Sequence, residues 1–357
     1  MDLYKAIFDS NRPFLIAGPC SAESEEQMFQ VAHDLKSSTN TSILRAGIWK
    51  PRTRPLSFEG FGDTALDWLV KAGKATGLPT TVEVANKLHV EMALKAGVDV
   101  LWIGARTTVN PFTIQEIADT IKGSDIPVLV KNPVNPDLEL WIGAIERLQK
   151  AGLKQVAAVH RGFSYYNHIK YRNVPQWEIP IALRDRMPQI PIICDPSHIT
   201  GARGLIQSVS QKAMDLNFDG LMIEVHPNPE HALSDANQQI TPAELAQLIE
   251  NLVIRSHEVS PTIEDNLKEM RDKIAILDDR IFELLSARMK MSTEVGAFKR
   301  EHHVTIFQQE HWKQMLLKRL DMLDELDLSD SFVRRLMDEI HQESIRHQTK
   351  VMNPKND

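Results

Sequence analysis

The first 260 residues repeat one unit: a short apolar run, a polar or Gly/Pro turn, and a segment with helical periodicity. The eight runs are FLIA (14–17), SILRA (42–46), TTVEV (80–84), VLWI (100–103), PVLV (127–130), VAAV (156–159), PIIC (191–194) and LMIEV (221–225). Short apolar runs bounded by turns are typical of buried parallel strands joined by helical crossovers. Eight such units in about 250 residues favour an α/β TIM barrel, (β/α)8, while an open doubly wound sheet would require two runs to be misassigned.

Glycine and proline mark where this pattern ends. Of 16 glycines and 19 prolines, all but Gly296 and Pro354 precede residue 262. A chain of 357 residues is long enough for two domains. We therefore expect a barrel over residues 1–260, beginning almost directly on its first strand, and an all-helical domain over residues 263–357.

The composition excludes several classes of protein. With 41 Lys+Arg and 48 Asp+Glu the net charge is −7, which argues against a nucleic-acid or anionic-membrane partner. The 2 cysteines cannot form a disulfide framework. The apolar stretch Phe14 to Ala17 is too short for a signal sequence or a membrane span. We expect a cytoplasmic protein that binds neither nucleic acid nor membrane.

Polar side chains follow the predicted strands where a barrel has its mouth. Because the carboxyl ends of barrel strands converge, these side chains should lie together. The first group contains thiol, imidazole and carboxylate groups: Cys20, His198, Glu224 and Asp235. Taken singly, a cysteine or histidine is more often a core residue, but four such residues at one end favour a divalent metal such as Mn, Fe, Co or Zn.

The second group at the predicted mouth is cationic: Arg45, Arg106, Lys131 and Arg161. Arginine and lysine usually lie on solvated surfaces, but these four end or follow apolar strands. Both residue types bind phosphate and carboxylate. The stretch KPRTR adds Lys50, Arg52 and Thr53 as a second anion cradle. Two anion sites beside one metal predict an enzyme that joins two phosphorylated molecules.

Several strings in this region closely resemble 3-deoxy-D-arabino-heptulosonate-7-phosphate (DAHP) synthase: GPCSAES (18–24), LRAGIWKPRT (44–53), IGAR (103–106), HRG (160–162), DPSH (195–198) and MIEVHPNPEHALSD (222–235). The resemblance implies condensation of phosphoenolpyruvate with erythrose 4-phosphate. It implies Cys20, His198, Glu224 and Asp235 as metal ligands. It also implies that phosphoenolpyruvate is bound by Arg45, Lys50, Arg106, Lys131 and Arg161, and erythrose 4-phosphate by Arg52 and Thr53. A sister synthase makes an eight-carbon keto-sugar on the same barrel, and the KPRT stretch favours the first activity.

The last 95 residues show a different periodicity. Apolar residues step alternately by three and four from Leu267 to Phe298, which predicts one helix over about 263–300, followed by helices over about 307–320 and 330–350. A helix of that length exceeds the width of a small domain, so a partner chain is expected to cover it. Periodicity alone favours a homodimer through the helical domain, or a higher oligomer built on it. Arg288 is an exception, because it occupies a position of this apolar repeat. Burying an unpaired guanidinium there would cost folding free energy.

The strings LKEMRDKIAILDDRIFELLSARM (267–289), EVGAFK (294–299) and SIRHQ (344–348) resemble the all-helical chorismate mutase, an intertwined dimer that rearranges chorismate to prephenate. The resemblance implies that Arg271 reaches the partner's site. It implies that Arg288 and Lys299 bind the substrate carboxylate and ether oxygen, and that Ser344 and Gln348 complete the pocket. The chain departs from the family at Gln308, His311 and Trp312, where Asp, Arg and Glu are common.

Together the two resemblances predict a bifunctional enzyme of the shikimate pathway, since both reactions belong to aromatic amino-acid synthesis. We also expect feedback inhibition of the barrel through a mutase product bound to the helical domain. The alternative is a C-terminal domain that is chiefly a regulatory or dimerisation module with weak mutase activity.

Overall fold

A computed structural model describes residues 1–9, 13–50, 58–166, 170–255 and 260–353. The chain forms two compact units, Met1–His257 and Glu258–Asp357. In the described part of the chain, no helix is long and apolar enough to cross a membrane.

Eight parallel strands close into a barrel in sequence order, which confirms the predicted fold of the first unit. The strands are β1 Phe14–Gly18, β2 Ile43–Ala46, β3 Thr80–Val84, β4 Val100–Ile103, β5 Val128–Lys131, β6 Val156–His160, β7 Ile192–Cys194 and β8 Gly220–Glu224. Closure is made by β1 and β8, which pair from Phe14↔Gly220 to Gly18↔Glu224. The open sheet is therefore excluded. Because β8 separates β1 from β7, Cys20 and Cys194 lie apart, and both are free.

Of the described α-helices of this unit, one precedes β1, one follows β8, and the others lie between successive strands. They are α1 Leu3–Phe8, α2 Glu25–Ser38, α3 Asp63–Thr76, α4 Lys87–Ala96, α5 Ala105–Thr108, α6 Pro111–Ile121, α7 Leu138–Lys150, α8 Glu178–Arg186, α9 Pro196–Thr200, α10 Ile206–Asp215 and α11 Pro242–Glu250. Local signals begin several of them: Asn110 caps the N–H groups of α6, which has proline in its first turn, and Thr241 with Glu244 forms a capping box on α11.

The core has two layers, divided by the alternation of side chains along each strand. Phe14 and Ile16 of β1 point into the barrel, whereas Leu15 and Ala17 pack against the surrounding helices. Helix α1 adds Leu3 and Ile7 to the interior layer, and the Tyr4 hydroxyl donates to the carbonyl of Val156 at the start of β6. The expectation that the chain begins almost directly on its first strand is therefore wrong, because α1 covers the amino-terminal end of the barrel.

The second unit is all-helical, as predicted. Its helices are α12 Pro261–Glu301, α13 Gln309–Leu320, α14 Leu323–Leu326 and α15 Asp330–Met352. The short α14 is the element that periodicity missed. Helix α12 packs against α15 at Gly296, where a Cβ atom would lie 2.9 Å from Cα of Gln348. The one glycine of this unit therefore has a packing reason, because its lack of a side chain permits close approach of the two helices.

The glycine at the end of β1 is also required by close packing. Gly18 has φ +146°, and an added Cβ would lie 2.1 Å from the carbonyl oxygen of Arg45 on β2. At Gly123 φ is +82°, but a Cβ would meet nothing within 4 Å. A side chain at Gly123 would therefore add backbone strain alone, whereas a side chain at Gly18 would also clash with β2.

We expect Gly18→Ala to lower the free energy of unfolding of the barrel by at least about 3 kcal/mol, because β1 and β2 must separate at the mouth. Gly123→Ala, the control, should cost about 1 kcal/mol through backbone strain alone. Urea unfolding of the full chain measures both. Equal losses in the two variants would contradict the account of β1–β2 packing.

Candidate functional site

The predicted mouth residues lie at the carboxyl ends of the strands. Glu224 is the last residue of β8, and Lys131 is the last residue of β5. His198 lies within α9, directly after β7, and Arg106 within α5, directly after β4. Each of these two short helices brings one side chain to the mouth. The apolar runs predict the strands but not these helices.

Three of the four predicted metal ligands form a compact group. Each of Cys20, Glu224 and Asp235 offers a ligand atom, and these atoms all lie within 4.8 Å of one another. Sγ of Cys20 is 3.4 Å from Oδ2 of Asp235. His198 lies at the edge of the group, with Nε2 3.6 Å from Oε1 of Glu224.

Four residues outside the predicted set hold this group in place. Asp195 accepts from the backbone N–H of His198 and lies 2.9 Å from its Nδ1, and Gln238 donates to Glu224 at 2.6 Å. Arg172 donates to Asp235 at 3.0 Å and also to Gln238, while Gln239 accepts the N–H of Cys20 at 2.8 Å. Asp195 stands in the DPSH string and could have been found there. Gln238 ends a short 3-10 helix, Ala236–Gln238, while Arg172 and Gln239 lie in loops, and only the fold brings them to the mouth.

Burial and charge set the protonation of this group. Burial, with the neighbouring Glu224 and Asp235, raises the pKa of the Cys20 thiol to about 12, although Lys50 opposes the shift. Burial also opposes ionisation of Asp235, but Arg172, His198 and Lys50 outweigh it and hold the pKa of that carboxyl below its usual range. The site therefore contains ionised carboxylates beside a protonated thiol, and a cation that binds the thiolate must displace the proton.

A cationic cavity of about 280 Å³ opens beside the group. Its lining includes Arg106, Lys131, Arg161, Arg172 and His198. Burial is the main cause that lowers the pKa of Arg161 to about 10; the adjacent Arg172 and Arg106 act in the same direction, and Asp195 opposes them. Clustered cations of this kind favour an anionic ligand.

Arg45 and Lys50 are not among the lining residues of this cavity and instead contact the Cys/Glu/Asp group. The Arg45 side chain is buried, donates to Glu224 at 3.1 Å, and lies 4.8 Å from the ring centre of Trp102. Lys50 Nζ donates to Sγ of Cys20 at 3.1 Å and to its carbonyl oxygen. Arg52 and Thr53, predicted for the second anion cradle, lie outside the described residues.

The helical unit contains a second cavity, of about 260 Å³. Four of the five predicted mutase residues line it: Arg288, Lys299, Ser344 and Gln348. Arg288 donates to the hydroxyl of Ser344, and Lys299 donates to the carbonyl of Ile306 at 2.6 Å. The three departures from the mutase pattern, Gln308, His311 and Trp312, line the same cavity.

Arg271 is not among the residues that line the cavity of its own chain. It is an exposed residue of the first half of α12, and its guanidinium pairs with Glu264 at 3.0 Å. His341 also lines the cavity and was not singled out by sequence reasoning. Its position on α15, seven residues before Gln348 on the same helix face, is the signal that could have found it.

Comparison with known proteins supports the two-part organisation. Residues 6–258 match the model of the DAHP synthetase I family, and residues 270–349 match that of chorismate mutase type II. A phospho-2-dehydro-3-deoxyheptonate aldolase of Thermotoga maritima is 31% identical over 226 residues, which are 63% of this chain and 64% of that protein. This chain thus spans slightly less than two thirds of that relative.

Other relatives include a 2-dehydro-3-deoxyphosphooctonate aldolase of Variovorax paradoxus, 28% identical over 67% of this chain and 89% of that one. The crystal structure of a DAHP synthase from Thermotoga maritima superposes with a TM-score of 0.61 at 27% identity, over 73% of this chain and 70% of that chain. Because the family model covers most of the chain, the chain belongs to the DAHP synthetase I family, and its helical unit carries a chorismate mutase type II domain.

Proposed function

We propose that the barrel condenses phosphoenolpyruvate with erythrose 4-phosphate to DAHP, and that the helical unit rearranges chorismate to prephenate. The observation that carries the first assignment is the position of the Cys20/Glu224/Asp235 group beside a cavity lined by four cations. Substrates of this reaction are small phosphate and carboxylate anions, which such a cavity favours.

The group at the mouth fits a divalent transition metal, with Cys20, His198, Glu224 and Asp235 as ligands. The residues supply sulfur, nitrogen and oxygen donors within a few ångströms of one another, which suits Mn, Fe, Co or Zn better than Mg or Ca. Asp195 fixes the ring of His198 from the opposite nitrogen, as the carboxylate partners of metal-bound histidines do. When bound, the metal supplies Lewis-acid polarisation of the aldehyde oxygen of erythrose 4-phosphate.

The cations of the chain position the other substrate. Arg106, Lys131 and Arg161 hold the phosphate and carboxylate of phosphoenolpyruvate. Arg45 adds two buried guanidinium nitrogens, Nε and Nη1, that have no hydrogen-bond partner among the described residues. Together, these cations hold phosphoenolpyruvate with C3 toward the aldehyde. They also stabilise the phosphate that leaves after water traps C2. Lys50, in contact with Cys20, adds a further positive charge beside the metal ligands.

The mutase reaction is unimolecular and needs no nucleophile. A compact conformer of chorismate must be held with cations facing the breaking ether bond. Arg288 and Lys299 supply those cations, with Ser344 and Gln348 as neutral hydrogen-bonding groups in the same cavity. A product of this reaction reports pathway output, so we also propose that prephenate bound in this cavity inhibits the barrel.

The exposed half of α12 supports a homodimer. Met270, Ile274, Leu277, Ile281 and Leu284 are each more than half exposed in the single chain, and the buried residues of α12 are Ser292 and Gly296. Helix α12 would be about 61 Å long at 1.5 Å per residue. An apolar face of that extent requires a partner, and a second copy would bring Arg271 to the other chain's cavity.

Cys20→Ala should lower metal-dependent condensation more than about 100-fold, since it removes a ligand and not merely a supporting contact. Cys194→Ala, which removes the buried thiol of β7, is the control and should remain active. Phosphoenolpyruvate consumption is measured with and without chelator and with added Mn²⁺. Full condensation activity of Cys20→Ala after chelator treatment would refute the proposal that Cys20 binds a metal needed for the reaction.

Arg288→Ala should lower mutase turnover by about 100-fold or more, because it removes positive charge at the ether oxygen. The same variant should condense phosphoenolpyruvate normally and lose inhibition by prephenate. Arg300→Ala is the matched control, since Arg300 lies on the same helix and donates to the carbonyl of Val351 outside the cavity. Persistent inhibition in Arg288→Ala would refute regulation through this cavity, while unchanged mutase turnover would refute the catalytic assignment.

The double variant Ile274→Asp/Ile281→Asp should reduce the dimer to a monomer, because two charges would be buried in the apolar seam. Light scattering after gel filtration measures the mass. The control Asp278→Asn/Asp279→Asn changes two charged residues of the same helix without adding charge. A dimer that persists in the isoleucine variant would place the interface elsewhere.

A further inference from the structure

The cavity of the helical unit is rich in donors, and its buried side-chain atoms without a hydrogen-bond partner among the described residues are Oε1 of Gln348 and Nε2 of His341. Arg288 and Lys299 line it, but no carboxylate does so within the described part of the chain. The hydroxyl of Ser344 is already engaged, since it accepts from Arg288 and donates to the carbonyl of Ile340 at 2.8 Å. Cations and donors suit the carboxylates of a ligand, but a hydroxyl group on the same ligand also needs an acceptor for its proton.

His341 is, beside Gln348, one of two lining residues that can supply that acceptor. Its imidazole stacks on the indole of Trp312, with ring centroids 4.0 Å apart and 18° between planes. The phenyl ring of Phe307 lies 5.8 Å away at a tilt. Nε2 of His341 is buried and has no hydrogen-bond partner among the described residues. An unpaired buried polar atom is costly, so this nitrogen is a candidate for pairing with a ligand.

The surroundings keep this imidazole neutral. Burial lowers the pKa of His341, and Arg288 and Lys299 across the cavity lower it further, against the opposing charge of Asp338 on its own helix. A neutral imidazole has one ring nitrogen with a free lone pair. Because Arg288 and Lys299 line the same cavity, they disfavour a second proton on the ring, which is consistent with an accepting Nε2.

We propose that His341 is a specificity-determining residue of the helical unit, whose imidazole Nε2 accepts a hydrogen bond from the ring hydroxyl of the bound dicarboxylate. This inference rests on the proposed mutase function and assigns a role that the cations and Ser344 do not supply. Trp312, stacked on the imidazole, acts as a positioning residue that fixes the ring in the cavity wall. The recognised class is therefore a hydroxylated cyclic dicarboxylate rather than any small dianion.

The test compares chorismate with its analogue lacking the ring hydroxyl, using the full chain. The KM for chorismate and the inhibition constant of the deoxy analogue are measured for the wild type, His341→Phe and His341→Gln. Phenylalanine keeps the stack on Trp312 and removes the acceptor, whereas glutamine keeps an acceptor and removes the ring. His347→Phe is the control, because His347 lies on the same helix and contacts Thr293 and Glu343 instead of lining the cavity.

We expect His341→Phe to raise the KM for chorismate about tenfold, the loss of one hydrogen bond, with no change in the inhibition constant of the deoxy analogue. His341→Gln should recover part of the loss, and His347→Phe should match the wild type. An unchanged preference for the hydroxylated compound in both His341 variants would overturn the proposal while leaving the mutase function intact. A wild-type chain that neither binds nor converts chorismate would overturn both.

Discussion

Pairing of β1 with β8 closes the barrel, and the arrangement at its mouth depends on that pairing. The register sets Gly18 opposite Glu224, and the N–H of Val225 donates to the carbonyl of Gly18 at 2.8 Å. Cys20, two residues beyond Gly18, is thereby brought beside a carboxylate more than 200 residues later in the chain. A slip of one residue would turn Glu224 away from the mouth, since side chains alternate along a strand.

The charges at the mouth compensate one another only in part. Arg45 pairs with Glu224, Lys131 with Asp195, and Arg172 with Asp235. The first two of these pairs are buried, and removing one partner of such a pair typically costs about 3–5 kcal/mol, because it leaves the other charge unpaired. Arg161 hydrogen-bonds through Nη1 to the amide oxygen of Asn173 at 2.7 Å, and two nitrogens of Arg45 are unpartnered in the described structure. The sum of the charges that face the cavity is therefore positive. This local excess explains how a chain of net charge −7 can bind a polyanionic substrate.

Much of this arrangement could be predicted from the sequence because strand ends and mouth residues are adjacent in the chain. The apolar runs locate all eight strands to within one or two residues, and Lys131 and Glu224 end their strands. Arg172, Gln238 and Gln239 could not be found in this way, since they reach the mouth from segments after β6 and β8 whose paths depend on tertiary packing. In the helical unit, the sequence indicates α12 by its heptad spacing and α13 and α15 as further helical stretches, but not the stack of His341 on Trp312, which joins different helices.

The central claim is that one chain performs a metal-dependent condensation in its barrel and a metal-independent rearrangement in its helical unit. The most direct measurement follows both reactions in one purified sample, with erythrose 4-phosphate or a five-carbon aldose phosphate as the second substrate, before and after chelator treatment. We predict consumption of phosphoenolpyruvate with erythrose 4-phosphate that chelator abolishes and Mn²⁺ restores, and chorismate turnover that chelator leaves unchanged. Condensation with the five-carbon aldose phosphate alone, or loss of both reactions to chelator, would contradict the account.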